Sequence, residues 1–168
     1  LIKALTEAAD LPGALHVLHD RVATPAGGAP TLDMYHTLLA GFARFGVRAR
    51  RQESVSAAPP GAWILEGEGP WTIFALHELF EGYLRVEPAP HTERRVPPPS
   101  PRALAHVLAA LRQVSSDDRA YVGAQWTRLM SKLSAPPWQR VRLDTRTSHA
   151  LRALNVPPLA SALGDSIH

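Results

Sequence analysis

The chain has 168 residues, 45% of them hydrophobic and 20% charged, a balance typical of a folded domain and not of a disordered segment. It contains no cysteine, which excludes disulfide bonds and thiolate metal sites. Lys and Arg number 18 and Asp and Glu 15, so the net charge of +3 only weakly favours a polyanionic partner. No apolar run approaches the roughly 18 residues that a membrane-spanning helix needs.

Two short helices open the chain. Apolar residues at helical spacing predict one helix over residues 1–9 and a second from about 11 to 22. Asp10 is the predicted N-cap of the second helix, and Pro12 fits its first turn, where a missing N–H costs little. Because Leu1 already belongs to a helical pattern and no initiator Met precedes it, we expect part of the protein to lie upstream.

A third helix follows a Pro- and Gly-rich loop. Its apolar face predicts a helix over residues 32–46, and Gly46 fits the C′ position that commonly adopts a left-handed conformation. Four arginines cluster near its end: Arg44, Arg48, Arg50 and Arg51. Cations there complement the helix dipole, and arginine also suits planar contacts to phosphate, so both explanations stay open.

The middle of the chain alternates helix with Pro-rich sequence. Residues 48–70 contain several Pro and Gly residues around a small apolar patch at 63–65, which indicates an insertion. A helix is predicted over residues 71–86, followed by an extended Pro-rich connector over 87–101. The connector also contains two arginines, Arg94 and Arg95.

The last third of the chain is predicted to form three helices, over residues 102–114, from a serine cap to 133, and over 145–156. Ser115 or Ser116 is the predicted cap, helped by Asp117 and Asp118 in the first turn. Since Leu and Ala dominate the aliphatic content and β-branched runs are scarce, we predict an all-α fold. The expected architecture is about seven helices in stacked hairpins, an α-solenoid with two Pro-rich insertions.

The opening of the chain also repeats itself. The segment LIKAL at 1–5 recurs as LLAGF at 38–42, an offset of 37 residues, which is typical of stacked helical hairpins. Over 1–18 and 30–46 the chain resembles the pentatricopeptide repeat proteins. The resemblance implies a single helical-repeat domain with a first partial repeat at 1–31, a second repeat at 32–100, a third at 102–144, and a terminal helix and tail at 145–168.

The resemblance also implies positions that face RNA bases, on the first helix of each repeat and in the loop before the next repeat. These are Thr31 for the first repeat, His36 with Ser100 for the second, Ala105 with Leu143 for the third, and Ser148 in the terminal helix. Ala105 and Leu143 offer no hydrogen bond to a base edge, so sequence-specific readout is not expected.

A repeat protein without base readout resembles the family members that are built into organellar ribosomes. The resemblance therefore implies a non-enzymatic subunit of a mitochondrial ribosome in the matrix, holding rRNA backbone and neighbouring proteins; a plastid location stays open. The predicted backbone contacts are Arg44, Arg48, Arg50, Arg51, Arg94, Arg95, Arg140, Arg142, Arg146 and Arg152. The alternative for each arginine cluster is a set of solvated side chains at loops and helix ends. The alternative functions are a protein-binding scaffold of another mitochondrial complex, or a free RNA-processing or translation factor.

The sequence contains no complete catalytic motif. His77 begins a sequence similar to the zinc-protease helix, but Glu81 stands where the second histidine is needed. His16 and His19 share a helix without a third ligand spaced to complete a metal site. There is no phosphate-binding Gly-rich loop and no nucleophile elbow. We therefore expect no enzyme activity, no cofactor or metal, no small-molecule substrate and no membrane insertion. The chain has four tryptophans, Trp63, Trp71, Trp126 and Trp138. They could stack on bases, but they are expected to be buried or to be interface anchors.

Overall fold

The computed structural model describes residues 1–24, 30–51, 63–65, 68–86, 99–115, 118–133 and 143–155. This part of the chain is predominantly helical, as predicted, and it also contains one pair of short strands that was not predicted. In chain order the elements are α1 (Ile2–Glu7), α2 (Leu11–Ala23), α3 (Leu32–Phe45), β1 (Ala49–Arg51), β2 (Trp63–Leu65), α4 (Ile73–Leu84), α5 (Pro101–Val114), α6 (Arg119–Ser131) and α7 (Thr145–Ala153).

Side-chain caps begin six of these helices. In each, an oxygen of the N-cap side chain accepts a hydrogen bond from the backbone N–H three residues on, which satisfies one of the unpaired donors of the first turn. The caps are Asp10, Thr31, Thr72, Ser100, Asp118 and Asp144. Asp10 therefore caps α2 as predicted. The prediction that Ser115 or Ser116 caps α6 is wrong, because α6 begins later and Asp118 accepts from Tyr121 N–H at 3.0 Å.

Several helix ends differ from the prediction for identifiable reasons. The first helix stops at Glu7 because Ala9 takes a left-handed conformation with φ of 60°. The last one stops at Ala153, and Asn155 is likewise left-handed, with φ of 56°. Pro101 is the first residue of α5 and does not belong to the connector; its missing N–H is tolerated in the first helical turn.

Gly46 ends α3, but not in the predicted left-handed conformation. Its φ is −54° and its ψ 128°, which any residue can adopt. A larger residue would not fit at this position, because a Cβ there would lie 2.6 Å from the Phe42 carbonyl oxygen and 2.7 Å from Val114 Cγ1. The glycine therefore allows the end of α3 to approach α5 closely.

A two-stranded antiparallel ribbon follows α3. Its register pairs Ala49 with Leu65 and Arg51 with Trp63. The aromatic and β-branched residues of β2 favour a strand, which explains why this apolar patch is not irregular. Beside the ribbon, Val47 N–H donates to the Trp71 carbonyl oxygen at 2.9 Å, which joins the end of α3 to the start of α4. The remainder of the predicted insertion, and residues 87–98 of the connector, lie outside the described residues.

The hydrophobic core lies between α3 and its neighbours. Helix α3 packs against α1 on one side and α5 on the other, and also contacts α4; α5 in turn contacts α6 and α7. The largest fully buried side chains are Trp126, Tyr83, Phe42, Phe80, Leu11, Leu38, Leu39, Leu76, Leu104, Leu111, Leu129 and Val107. None of the described helices is both long and apolar enough to cross a membrane.

Trp71 lies just before α4 and contacts both α3 and the turn that follows α1. Its ring is buried and meets the Phe42 ring edge-on at 4.9 Å, while its indole N–H donates to the Ala9 carbonyl oxygen at 2.9 Å. Gly41 makes room for it: a Cβ at this position would lie 2.6 Å from the Trp71 ring and 2.7 Å from Thr6 Cγ2. The glycine thus sets how closely α1 and Trp71 approach α3.

Candidate functional site

The main candidate site is a cavity of about 450 Å³ over α3, between α1 and α5, referred to below as the α3 cavity. Because α1 and α5 both pack on α3, side chains from three helices converge there. The cavity is lined by Lys3, Thr6 and Glu7 of α1, by Asp33, His36, Thr37, Ala40, Gly41, Arg44 and Phe45 of α3, and by Arg102 and His106 of α5.

A hydrogen-bonded polar group lies at one end of this cavity. His36 Nε2 and Ser100 Oγ are 3.0 Å apart, and Ser100 N–H donates to the Tyr83 hydroxyl at 2.9 Å. Ser100 also caps α5, so one hydroxyl connects the start of α5 to α3 and α4. His36 and Ser100 were the predicted base-facing pair of the second repeat. The structure brings the two together, and their polar atoms bond to each other.

Two imidazoles of the α3 cavity favour the neutral form. Burial lowers the pKa of His36, and the nearby Arg102 guanidinium lowers it further, while the Asp33 carboxylate opposes both effects. Burial also lowers the pKa of His106, with smaller contributions from Arg102 and from His36. Both rings are therefore expected to be uncharged at neutral pH.

Three buried polar atoms at the α3 cavity have no hydrogen-bond partner among the described residues: Thr6 Oγ1, His36 Nδ1 and His106 Nε2. Thr6 is 6% exposed and His36 is 9% exposed. The Asp33 carboxylate lies 3.7 Å from His36 Nδ1, too far for a hydrogen bond. Buried polar groups are normally paired, so these atoms mark a place where a polar ligand gains hydrogen bonds.

Cations surround these atoms. Lys3 pairs with Glu7 at 3.9 Å across an exposed turn of α1. Arg44 lies over the Phe45 ring at 5.0 Å, and neither Arg44 nor Arg102 forms an ion pair with an acidic side chain in the described part of the chain. The side chain of Asp33 is 89% exposed. The cavity therefore combines buried polar atoms that lack partners with a rim of exposed charged side chains. The rim has three cations, Lys3, Arg44 and Arg102, and two carboxylates, Glu7 and Asp33.

The predicted backbone-binding arginines do not form one cluster in the described residues. Arg44 lines the α3 cavity, and Arg48 is exposed just before β1. Arg146 and Arg152 are exposed on α7, the first close enough to Asp144 to help lower the pKa of that carboxyl, which the backbone N–H of Thr147 lowers most. Arg50 and Arg51 belong to β1, and their side chains are not described. Arg94, Arg95, Arg140 and Arg142 lie outside the described residues.

The other predicted base-facing positions have separate surroundings. Thr31 is exposed and caps α3, its hydroxyl accepting from Met34 N–H at 3.4 Å. Ala105 and Ser148 are half-buried, on α5 and α7 respectively. Leu143 is half-buried against the hydrophobic core. Leu143 therefore contributes to packing and, as an apolar side chain, has no hydrogen-bonding group for a base edge.

No family model, curated protein or solved structure matches this chain. The resemblance to pentatricopeptide repeats therefore remains a sequence-based prediction, and the site must be interpreted from its own geometry.

The described tryptophan side chains are buried, and His77 is hydrogen-bonded within the protein. Of the tryptophans, Trp71 and Trp126 are buried, Trp63 belongs to β2 without a described side chain, and Trp138 lies outside the described residues. His77 Nε2 is 3.0 Å from Gln125 Oε1, and burial lowers the pKa of His77. Within the ranges the structure covers, no group of three or more His, Asp or Glu side chains is placed to hold a metal ion.

Sequence analysis missed Thr6, Arg102 and His106. A signal for two of them was present, since Arg102 and His106 are four residues apart and therefore share one face of α5. The same spacing on α3 gives a second stripe beside the apolar one, through Ala40 and Arg44. No sequence signal places the two stripes against each other, because that depends on how α3 and α5 pack.

A second concave surface lies between α2 and α4, with a volume of about 530 Å³, and is called the α2–α4 groove below. Its apolar lining comes mainly from Leu15, Leu18, Ala75, Leu79 and Val86, and its charged lining from Arg21, Glu78, Glu81 and Arg85. Glu81 there is already bound by Lys132 of the α6 end and by Arg85 at 3.6 Å.

Proposed function

We propose that this protein is a non-enzymatic helical-repeat scaffold of an organellar RNA–protein assembly, with a mitochondrial ribosome as the expected host. In this role exposed arginines bind the RNA backbone without reading bases, and helix surfaces hold neighbouring proteins. The proposal includes an α-solenoid arrangement of the hairpins, with α1–α2, α3–α4 and α5–α6 as successive units and α7 as the start of a fourth.

The order of the helix contacts is the observation that carries this proposal. The first helices of successive units pack against one another, α1 on α3, α3 on α5 and α5 on α7, while α2, α4 and α6 each pack on the first helix of their own unit. A protein whose units contact mainly the next unit is built like a solenoid, and such proteins present extended surfaces that suit binding.

The surface chemistry supports backbone binding more than base readout. His36 and Ser100 bond to each other, which leaves them few free atoms for a base edge. Arg48 and Arg152 are exposed and make no ion pair with an acid in the described residues, so they are free to contact phosphate. Phosphate contacts position an RNA without specifying its sequence.

The proposal is tested with a triple charge reversal, Arg48→Glu with Arg146→Glu and Arg152→Glu. We expect this variant to bind random-sequence RNA more weakly, and we expect the slope of log affinity against log salt to become shallower by about 2, since each lost phosphate contact removes roughly 0.7–0.9. The measurement is a filter-binding titration at several salt concentrations, followed by sedimentation of organelle lysate with and without ribonuclease.

A matched control is Arg21→Glu with Arg119→Glu and Arg128→Glu, which makes the same change in net charge. Arg119 and Arg128 occupy the first and last turns of α6, as Arg146 and Arg152 do in α7, so the effects on the helix dipoles are similar. The control should retain most of the RNA affinity. Equal loss in both variants, or no RNA binding by the unmodified protein, would reject specific backbone contacts at these arginines.

A second candidate function is a scaffold that binds only proteins. Phe74 on α4 is 71% exposed, and a large exposed aromatic side chain is typical of interface anchors. Part of the apolar lining of the α2–α4 groove lies on α4, the helix that also carries Phe74. Under this alternative the protein sediments with a large complex that ribonuclease leaves intact, and Phe74→Ser releases it from that complex.

A further inference from the structure

We propose that the α3 cavity binds a phosphate monoester carried by a small molecule, as a ligand and not as a substrate. This site is separate from the backbone contacts proposed above, and it lies at the joint where α1 and α5 pack on α3. The inference rests on the cavity itself, on buried polar atoms that lack partners, and on cations that lack acidic partners.

The size of the cavity suits a small molecule. Its volume of about 450 Å³ is within the roughly 300–1,000 Å³ of known small-molecule sites. Ala40, Gly41 and Phe45 provide an apolar wall, while the polar groups converge from three helices. A ligand of this kind has an organic body against the wall and a charged group among the donors.

The polar groups of the α3 cavity favour an anionic ligand. Arg44 and Arg102 carry only donors, and the Thr6 hydroxyl is free to donate because it has no partner in the described residues. Two carboxylates also line the cavity: Glu7 is paired with Lys3, and an oxygen of the largely exposed Asp33 lies 3.7 Å from His36 Nδ1. The three cations Lys3, Arg44 and Arg102 outnumber them. A cationic or neutral ligand would gain no charge-assisted hydrogen bonds from the two guanidinium groups, whereas an anion would.

A phosphate monoester fits this donor set better than a carboxylate does. A carboxylate has two oxygens, whereas a monoester phosphate has three acceptor oxygens and a charge near −2 at pH 7. Two arginines, a threonine hydroxyl and the imidazoles of His36 and His106 together exceed what two oxygens can satisfy. Arg in particular forms bidentate hydrogen bonds with phosphate.

Binding of a dianion would also change the charge of the cavity histidines. Both imidazoles are held neutral by burial and by Arg102. The charged or titratable groups that face them are Arg102 on α5, Asp33 and Arg44 on α3, Lys3 and Glu7 on α1, and Tyr83 on α4, whose hydroxyl is 3.5 Å from His36 Nε2. A bound dianion adds more negative charge than either carboxylate carries. A nearby negative charge favours imidazolium, so binding should take up protons and tighten as pH falls from 8 to 7. In this window the phosphate, with a second pKa of about 6, stays mainly dianionic.

The test uses adenosine 5′-monophosphate, adenosine and inorganic phosphate as probes in isothermal titration calorimetry. We expect the monophosphate to bind and adenosine not to bind. Arg102→Gln should weaken binding at least about tenfold, because it removes hydrogen bonds to a charged group. Arg128→Gln, an exposed arginine of α6 outside the cavity, is the control and should leave affinity unchanged; a thermal melt of each variant checks folding.

Protonation supplies a second readout that a general loss of structure does not imitate. Titrations in two buffers of different ionisation enthalpy should give proton uptake in the unmodified protein and less uptake in His106→Gln. Failure of both phosphate compounds to bind would overturn the proposal. It would also be overturned by equal binding of adenosine and its monophosphate, or by equal loss in Arg102→Gln and Arg128→Gln. A 5′-hydroxyl RNA oligonucleotide that displaces the monophosphate as well as a 5′-phosphorylated one does would overturn the monoester assignment.

Discussion

At the scale of single residues, the group formed by His36, Ser100 and Tyr83 connects three helices through hydrogen bonds. His36 and Ser100 are 64 residues apart in the chain, and their side chains are 3.0 Å apart in the fold. A buried network of this kind stabilises one arrangement of helices, because any shift leaves polar atoms unpaired. Its stability depends on the protonation state of His36.

The first prediction concerns pH. Burial lowers the pKa of His36 and His106 below the value of about 6.5 that they have in an unfolded chain. Between these values the unfolded state binds more protons than the folded state, so stability rises with pH and is lost as pH falls below about 6.5. We expect the free energy of unfolding in urea, followed by circular dichroism, to decrease from pH 7 to pH 5.

The control for this prediction replaces individual histidines. His106→Gln should show a shallower decrease than the unmodified protein, while His149→Gln, at an exposed position on α7, should follow the unmodified protein. Identical pH dependence in all three proteins would show that His106 does not limit stability at mildly acidic pH. The carboxyl of Asp144, whose lowered pKa comes from its cap of α7, titrates at lower pH and does not interfere.

Residue-scale geometry could be predicted only in part. The resemblance placed His36 and Ser100 together as one pair, but it assigned both to a base, whereas their polar atoms contact each other and Tyr83. His106 was not predicted because its spacing from Arg102 shows only that the two share a face of α5. The spacing does not reveal that His106 is partly buried whereas His149 is exposed. The difference between the two arises from the packing of α5 on α3, which no local pattern specifies.

At the scale of helices, close approach depends on small residues. Gly41 faces α1 and the Trp71 ring, and any Cβ there would enter the space of both. The ring is buried and held by its hydrogen bond to Ala9, so it cannot move aside easily. The contact between α1 and α3 therefore depends on one missing methyl group.

The second prediction compares two helical glycines. Alanine raises helix propensity by up to about 1 kcal/mol at either site, but overpacking costs about 1–3 kcal/mol. Gly41→Ala should lower the free energy of unfolding, measured in urea. Gly82→Ala should be less harmful, because its Cβ would lie 3.2 Å from the Tyr35 hydroxyl, the end of a side chain beside the α2–α4 groove. Equal effects would contradict a steric role for Gly41.

Helices were predictable to within a few residues, and their ends much less so. Apolar spacing identified all seven, since Leu38, Leu104 and Leu111 recur on buried faces as periodicity requires. Short polar side chains identified the cap at Asp10, but near α6 several such residues compete, and spacing does not choose Asp118 over Ser115. The ribbon was missed because β2 pairs with Arg-containing β1, whose residues have no strand pattern of their own.

At the scale of the whole molecule, α3 and α5 form the centre, and α7 is attached mainly to α5. Leu111 on α5 is fully buried, and Leu151 on α7 is nearly so. Truncating either side chain leaves a cavity. The cavity at Leu111 lies in a helix that packs against several others, whereas the cavity at Leu151 lies in a helix that packs mainly against α5. Local openings are therefore expected to be easiest at α7.

The third prediction follows from this difference. Leu111→Ala and Leu151→Ala should each cost about 2–5 kcal/mol of local stability. The two variants should differ in which helices are destabilised. In hydrogen exchange followed by mass spectrometry, Leu151→Ala should increase exchange in α7 alone. Leu111→Ala should increase it in both α3 and α5. Faster exchange throughout the protein in both variants would indicate a single cooperative unit and contradict the unequal attachment of α7.

The paired strands also affect how the protein can be used as a tool. Arg51 and Trp63 are partners in the ribbon, so the eleven positions 52–62 begin and end at Cα atoms only about 5 Å apart. Lengthening the chain between two fixed ends costs little, roughly 0.6 kcal/mol for each doubling of length. A photo-cross-linking peptide or an affinity tag spliced between these strands should leave the helices in register, and would let the native neighbours of the protein be captured in the cell.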